Sequence, residues 1–263
     1  MSLSATEIDE LRTAKRLLET PGLAARISNY VGTPIEKGFA LLPKRWNALV
    51  NTATRKSIAA ALDAALWTMD KRDAPAPSNW WHKLAVGATG AAGGVFGLPA
   101  LALELPVSTA IMLRSIADIA RSQGENLGTP EARLECVQVL ALGGGSKNDD
   151  GSETGYFATR TALAKAVSDA LKHLARSSLA HQGAPAMVRL IALIAARFSV
   201  VVSEKAAAQA VPVLGAFGGA AINTVFIDHF QDMAKGHFIV RRLERAHGAA
   251  EVERTYAGLP PAR

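Results

Sequence analysis

A chain of 263 residues, 49% of them apolar and 20% charged, has ample material for a sizeable core, which excludes disorder over most of its length. Aromatic residues make up only 6%, so that core is expected to be aliphatic and alanine-rich, and the single Cys136 excludes an internal disulfide. The net charge of +6 is uneven: residues 1–83 carry 12 basic against 8 acidic side chains and residues 155–205 carry 7 against 2, whereas 84–154 is acidic by 4.

Basic surplus of this kind suits an anionic membrane face or nucleic acid, and equally a set of solvated helix faces with a slight positive bias. Nucleic acid is disfavoured, because the charges are scattered along amphipathic stretches and no zinc-finger, RNP or basic-arm fingerprint occurs. The first 18 residues alternate charged and apolar positions at helical spacing instead of forming a secretory signal. A cytoplasmic protein is expected.

In chain order, Ser4-Ala5-Thr6-Glu7 is a capping box that predicts a helix to about Glu19. Thr33-Pro34-Ile35-Glu36 repeats the device with proline at the first helical position. Pro43 opens a longer amphipathic run, with Trp46, Leu49, Val50, Ala53, Ile58, Leu62, Ala65 and Leu66 on one stripe, ending by Arg72. The prolines at 75 and 77 then break the pattern. We therefore expect an N-terminal helical arm over 1–73, a linker over 74–79, a main helical domain over 80–256 and a frayed tail over 257–263.

The main domain opens on Trp80-Trp81-His82-Lys83, an amphipathic approach of the kind found where helices meet a bilayer, though paired tryptophans serve equally in a core or on a surface. It leads into residues 84–103 (LAVGATGAAGGVFGLPALAL), twenty residues without a charge, closed by Glu104. That length suits a membrane span. Glycines at 87, 90, 93, 94 and 97 suit another role better, since small residues let two backbones approach closely in a core or in a membrane. Residues 206–227 (AAAQAVPVLGAFGGAAINTVFI) form a second uncharged run between Lys205 and Asp228. Gly94 precedes Glu104 by the interval that separates Gly218 from Asp228, so the two runs read as halves of one packed unit.

Between them, Arg114 and Asp118 lie four apart on a helix ending near Gly124, and Glu104 precedes Asp118 by close to four turns. Thr129-Pro130-Glu131 starts another helix, which Gly143-Gly144-Gly145 stops. The loop over 143–155 (GGGSKNDDGSETG) imitates a phosphate-binding loop without its G-x-x-x-x-G-K-[ST] spacing. Helices are expected from Tyr156 to about Ser177 and from Pro185 to Val202; Val200-Val201-Val202 is β-branched yet sits in a helical pattern. Asp228 and Asp232 lead into a basic helix. The expected fold is all-α, a multi-helix bundle around two Gly-rich apolar helical segments.

Two blocks carry a resemblance. Residues 93–128 (GGVFGLPALALELPVSTAIMLRSIADIARSQGENLG) and 197–245 (RFSVVVSEKAAAQAVPVLGAFGGAAINTVFIDHFQDMAKGHFIVRRLER) resemble the EcsC family of bacterial proteins over roughly residues 80–256. This chain has Glu104 where the family pattern places Asp. A fainter similarity reaches the helical membrane-associated domain found beside some bacterial GTPases, although no GTPase motif occurs here. The resemblance implies an all-helical protein, associated through the family's name with an ABC transporter, and carries over no activity.

No catalytic constellation emerges. There is no G-x-S-x-G elbow, Cys136 has no basic neighbour in sequence, and Ser203 and Lys205, two apart, point different ways on a helix. Glu104, Asp118, Glu204, Asp228, His229, Asp232 and His237 could surround an ion, but the Glu-x-x-His signature of di-iron bundles is absent, and neither a metal nor another cofactor is expected. Glu104, Arg114, Asp118, Glu204, Lys205, Asn223 and Asp228, bordering the uncharged runs, are expected either to pin the helices in register or to floor an apolar pocket for an amphiphile. The leading expectation is a non-enzymatic accessory or scaffold peripheral on the inner membrane, with Trp80, Trp81 and Lys83 at the interface and a lipid surface or membrane protein as partner. A soluble binder of an apolar small molecule and an unrecognised hydrolase are the alternatives.

Overall fold

The computed structural model describes residues 3–19, 22–31, 35–68, 98–143, 155–176, 184–210 and 215–260, and among them forms ten helices and no strand. In chain order these are α1 (Ala5–Glu19), α2 (Leu23–Val31), α3 (Ile35–Leu41), α4 (Trp46–Thr68), α5 (Leu98–Ser122), α6 (Pro130–Leu142), α7 (Gly155–Arg176), α8 (Pro185–Gln209), α9 (Gly215–His247) and α10 (Ala249–Gly258). The all-α expectation holds. Trp80, Trp81, Lys83, the linker over 74–79 and most of the first uncharged run lie outside the described residues.

Local signals start and stop several helices. The Ser4 amide donates to Glu7 Oε2 at 2.8 Å and the Glu7 amide to Ser4 Oγ at 3.3 Å, so the capping box forms reciprocally. Thr129 caps α6 through a bond from the Ala132 amide, with Pro130 at the first helical position. Gly124, at φ 78°, turns the chain after α5, and Gly248, at φ 87°, separates α9 from α10. Pro106 sits inside α5, which continues through it.

Helix α6 is central. Every residue from Ala132 to Ala141 is buried, because the helix is enclosed by α4, α5, α7, α8 and α9. Around it, Ile58 and Leu62 of α4, Ile116 and Ala120 of α5, Ile194 and Phe198 of α8, and Phe226 and Phe230 of α9 build the main core. Phe198, Phe226 and Phe230 form a mutual ring cluster with centroids 5.3–6.1 Å apart. A smaller core joins Leu11 and Ala14 of α1, Tyr156 of α7, Val240 and Leu243 of α9, and Val252 and Tyr256 of α10. The 33-residue α9, about 50 Å long at 1.5 Å per residue, runs through both.

Residues expected as an N-terminal arm supply α1–α4, which pack directly on the rest: α1 on α9, α2 and α3 on α8, and α4 on α5, α6 and α8. Two glycines allow the closest approaches. A Cβ at Gly38 would stand 2.0 Å from the Ala207 carbonyl oxygen of α8, and one at Gly236 would stand 2.7 Å from Leu18 Cγ of α1. At the other end of the chain, Lys15 is buried with its Nζ donating to the carbonyls of Tyr256 (3.1 Å) and Leu259 (2.9 Å) and lying 5.1 Å from the Tyr256 ring centroid. Residues 257–259, the start of the expected tail, are thereby held.

The second uncharged run is not one helix. Residues 206–209 finish α8 and residues 215–227 begin α9. Helix α8 also continues past Val202 through Ser203-Glu204-Lys205, because the last two of these turn inward to polar partners instead of ending the helix.

Candidate functional site

Three polar clusters and one outer face are the candidates. The first lies where α5, α8 and α9 meet. Lys205 Nζ donates to Glu104 Oε1 at 2.6 Å, Asn223 Nδ2 donates to the same oxygen at 2.9 Å, and the ammonium stands 4.7 Å from the Phe226 ring centroid. Lys205 and Asn223 have no exposed surface, and Glu104 very little. Burial draws the Lys205 pKa down while the charge and hydrogen bond of Glu104 oppose it. The acid that closes the first run thus meets the lysine that opens the second. In a low dielectric such a pair survives only because its members are bonded to each other, and it ties α5, α8 and α9 together at this point.

The second cluster surrounds the N-terminus of α2. Glu204 Oε2 accepts from the Ala24 amide at 3.1 Å, where a carboxylate favourably meets a helix N-terminus. Burial nonetheless lifts Glu204 to about 7, against the lowering effect of that amide. Arg26 pairs with Asp232 at 2.9 Å. Nearby, His229 Nε2 lies 3.0 Å from the Gly143 carbonyl, so this nitrogen carries the proton, and burial holds the imidazole down at about 4. A Cβ on Gly143 would stand 2.6 Å from that nitrogen.

Sequence reasoning missed the third cluster. His237 Nδ1 accepts from the Tyr156 hydroxyl at 2.9 Å, and its Nε2 donates to Glu135 Oε2 at 3.0 Å, fixing one neutral tautomer. Arg241 bridges Glu135 (3.1 Å) and Glu125 (2.8 Å), Arg245 also bonds Glu125, and Arg160 grips Glu244 through two bonds of 2.7 and 2.9 Å. Burial disfavours charge on both His237 and Glu135, and the two pull against each other: an acidic Glu135 favours a protonated imidazole, whereas desolvation removes that proton. Against that burial, the hydrogen bond and charge of His237, followed by the guanidinium groups of Arg241 and Arg160, hold the Glu135 carboxyl below the usual range, while desolvation draws His237 down. Only the i, i+4 placements of Glu131 with Glu135 and of His237 with Arg241 hinted at this network in the sequence.

The remaining expected site residues are dispersed. Arg114 is exposed, Asp118 pairs with Arg121 at 2.9 Å, and Asp228 stands part-buried on α9. Among the described residues no three of His, Cys, Asp and Glu gather as a metal set. The Cys136 thiol is enclosed, and burial pushes its pKa far up, which removes it as a nucleophile.

The outer face belongs to α8. This 25-residue helix is long and apolar enough to cross a membrane, yet only 39% of its most apolar stretch is buried. Val188, Leu193 and Val200 are exposed among the large apolar residues, and they lie with Ala192 and Ala196 on one stripe whose single charge is Arg189. A groove of about 290 Å³ runs beside it against α4, lined by Asn51, Arg55, Ala192, Ala195, Ala196 and Ser199.

This arrangement, an all-helical body pinned by an acid–lysine–asparagine contact between the two motif blocks, meets a family comparison that decides the matter: the model of the EcsC protein family matches residues 5–243. The chain belongs to the EcsC protein family. The EcsC match begins at residue 5, not near residue 80, so α1–α4 belong to the family pattern along with the motif-bearing helices. No curated protein and no solved structure matches the chain.

Proposed function

We propose that this EcsC protein is a non-enzymatic helical accessory protein that lies on the cytoplasmic surface of the inner membrane, docking through the outer face of α8. The observation that carries the reading is the apolar stripe of Val188, Ala192, Leu193, Ala196 and Val200 on a helix with inward contacts already met by α2, α3, α4, α6 and α7. An interfacial helix needs such a stripe with cations beside it. Arg189 on the stripe and Arg55 across the groove supply positive charge, in keeping with the +6 balance of the chain. An accessory role beside an ABC transporter follows from the family name and is part of the same proposal.

Co-sedimentation with phosphatidylcholine vesicles, with and without an anionic lipid, tests this. Binding is expected to the anionic vesicles at low salt and to weaken as salt rises. Arg189→Glu should weaken it by about tenfold or more, since each charge at such a surface is worth about 1 kcal/mol. Leu193→Asp should weaken it comparably through lost apolar contact. Protein left wholly in the supernatant at low salt, or binding indifferent to both substitutions, would sink the reading.

A further inference from the structure

The groove of about 290 Å³ between α4 and α8 is selective in its chemistry. Ala192, Ala195 and Ala196 line it with methyl groups, and its polar groups are the Arg55 guanidinium, the Asn51 amide and the Ser199 hydroxyl, with no carboxylate among them. Asn51 and Arg55 lie four apart on α4, exposed on one face of that helix. Arg26, Arg121, Arg160, Arg241, Arg242 and Arg245 each pair with a carboxylate, whereas Arg55 enters no ion pair among the described residues.

An open cation beside a concavity favours an anion, and the planar guanidinium fork suits the oxygens of a phosphate. The two neutral groups narrow the choice. Ser199 Oγ donates to the Ala196 carbonyl at 2.8 Å, which leaves its own oxygen to accept, and the Asn51 amide can both donate and accept. Such a pair matches hydroxyl groups. The ammonium of a choline, ethanolamine or serine headgroup would instead meet the Arg55 charge and find no carboxylate. Ala192 and Ala196 belong both to the groove and to the outer stripe with Val188, Leu193 and Val200, so a headgroup seated here has exposed apolar surface beside it for the start of its acyl chains.

We infer that this groove seats the headgroup of an anionic glycerophospholipid whose phosphodiester carries free hydroxyls, a phosphoglycerol headgroup, with the phosphate on Arg55 and the hydroxyls on Asn51 and Ser199. This rests on the docking of α8 at a membrane surface and adds a choice of lipid to it. Co-sedimentation of the full chain with phosphatidylcholine vesicles holding equal fractions of phosphatidylglycerol or of phosphatidylserine, lipids of the same net charge, tests it. Phosphatidylglycerol vesicles should be bound about fivefold more tightly, the worth of a neutral hydrogen bond. Asn51→Ala, an exposed change that alters no charge, should abolish that preference while leaving phosphatidylserine binding and the melting temperature as in the parent. Arg55→Gln should weaken binding to phosphatidylglycerol vesicles about tenfold, as befits a charge-assisted contact. The inference is overturned if the two kinds of vesicle bind alike, if Asn51→Ala keeps the preference, or if soluble glycerophosphoglycerol displaces the vesicles at micromolar concentration, which would assign the groove to a free small anion. Protein that binds neither vesicle removes the docking of α8 as well, whereas binding without preference removes only the headgroup assignment.

Discussion

The Lys205 ammonium illustrates what a single side chain does inside this bundle. Held by Glu104 and flanked by Phe226, it stabilises the fold less by attraction than by leaving no buried charge alone. Lys205→Met should therefore cost about 3–5 kcal/mol in urea denaturation, and the double variant Glu104→Gln, Lys205→Met should recover most of it. A double variant as unstable as the single one would mean that the pair does not act as a unit. Glu204 and His229 set a second expectation. Glu204 sits at about 7 against an ordinary 4.5, so between those values the native state keeps a proton that the unfolded chain has lost, and stability falls as pH rises. His229 sits at about 4 against 6.5, so the unfolded chain takes up a proton that the native state refuses, and stability rises with pH across that span. From 4.5 to 6.5 the two oppose. Glu204→Gln removes the first effect: stability of the variant should climb more steeply through this window and exceed that of the parent above pH 7 by about 1–2 kcal/mol, reduced from the full shift because the carboxyl is part-exposed. Parallel stability curves for parent and variant would dismiss the assignment. The capping box at Ser4 and Glu7 was legible because its partners are three residues apart. The Tyr156–His237–Glu135 chain was not, because its members are 81 and 102 residues apart and no local pattern marks them.

Helices with one wet face announced themselves by period, and helices without one did not. The stripe of α4 was readable from Trp46 onward, whereas α6, buried on every side, offers no polar face to alternate against, so its sequence gave its ends through Thr129, Pro130 and Gly143 but not its central place. Charges misled at α8: Glu204 and Lys205 look like the bracket of an uncharged run, yet they face inward from a helix that continues to Gln209. Close backbone approach occurs at Gly38 and Gly236, outside the two runs from which it was anticipated, and the glycines at 87, 90, 93, 94 and 97 lie outside the described residues. Since a Cβ at Gly38 falls 2.0 Å from the Ala207 oxygen, backbone against backbone, Gly38→Ala must push α3 off α8. We expect a loss of about 1–3 kcal/mol and faster amide exchange in α3, read by denaturation and hydrogen exchange; a variant as stable as the parent would show that the two helices separate without penalty.

For the molecule as a whole, the EcsC resemblance came from blocks on α5, α8 and α9, and the structure brings those blocks together at Glu104, Lys205 and Asn223, with the phenylalanine cluster beside them. What the blocks could not disclose is that α1–α4 complete the same body. The contact of Lys15 with the carbonyls of Tyr256 and Leu259 spans more than 240 positions of chain, and α1 gains its remaining cover from α9 and α10. A polypeptide leaving the ribosome from its amino end presents α1 long before those acceptors exist. Its apolar side, with Leu11 and Ala14, stays uncovered until the segment carrying Val240, Tyr256 and Leu259 has been made, so the emerging first helix is a natural client for a chaperone.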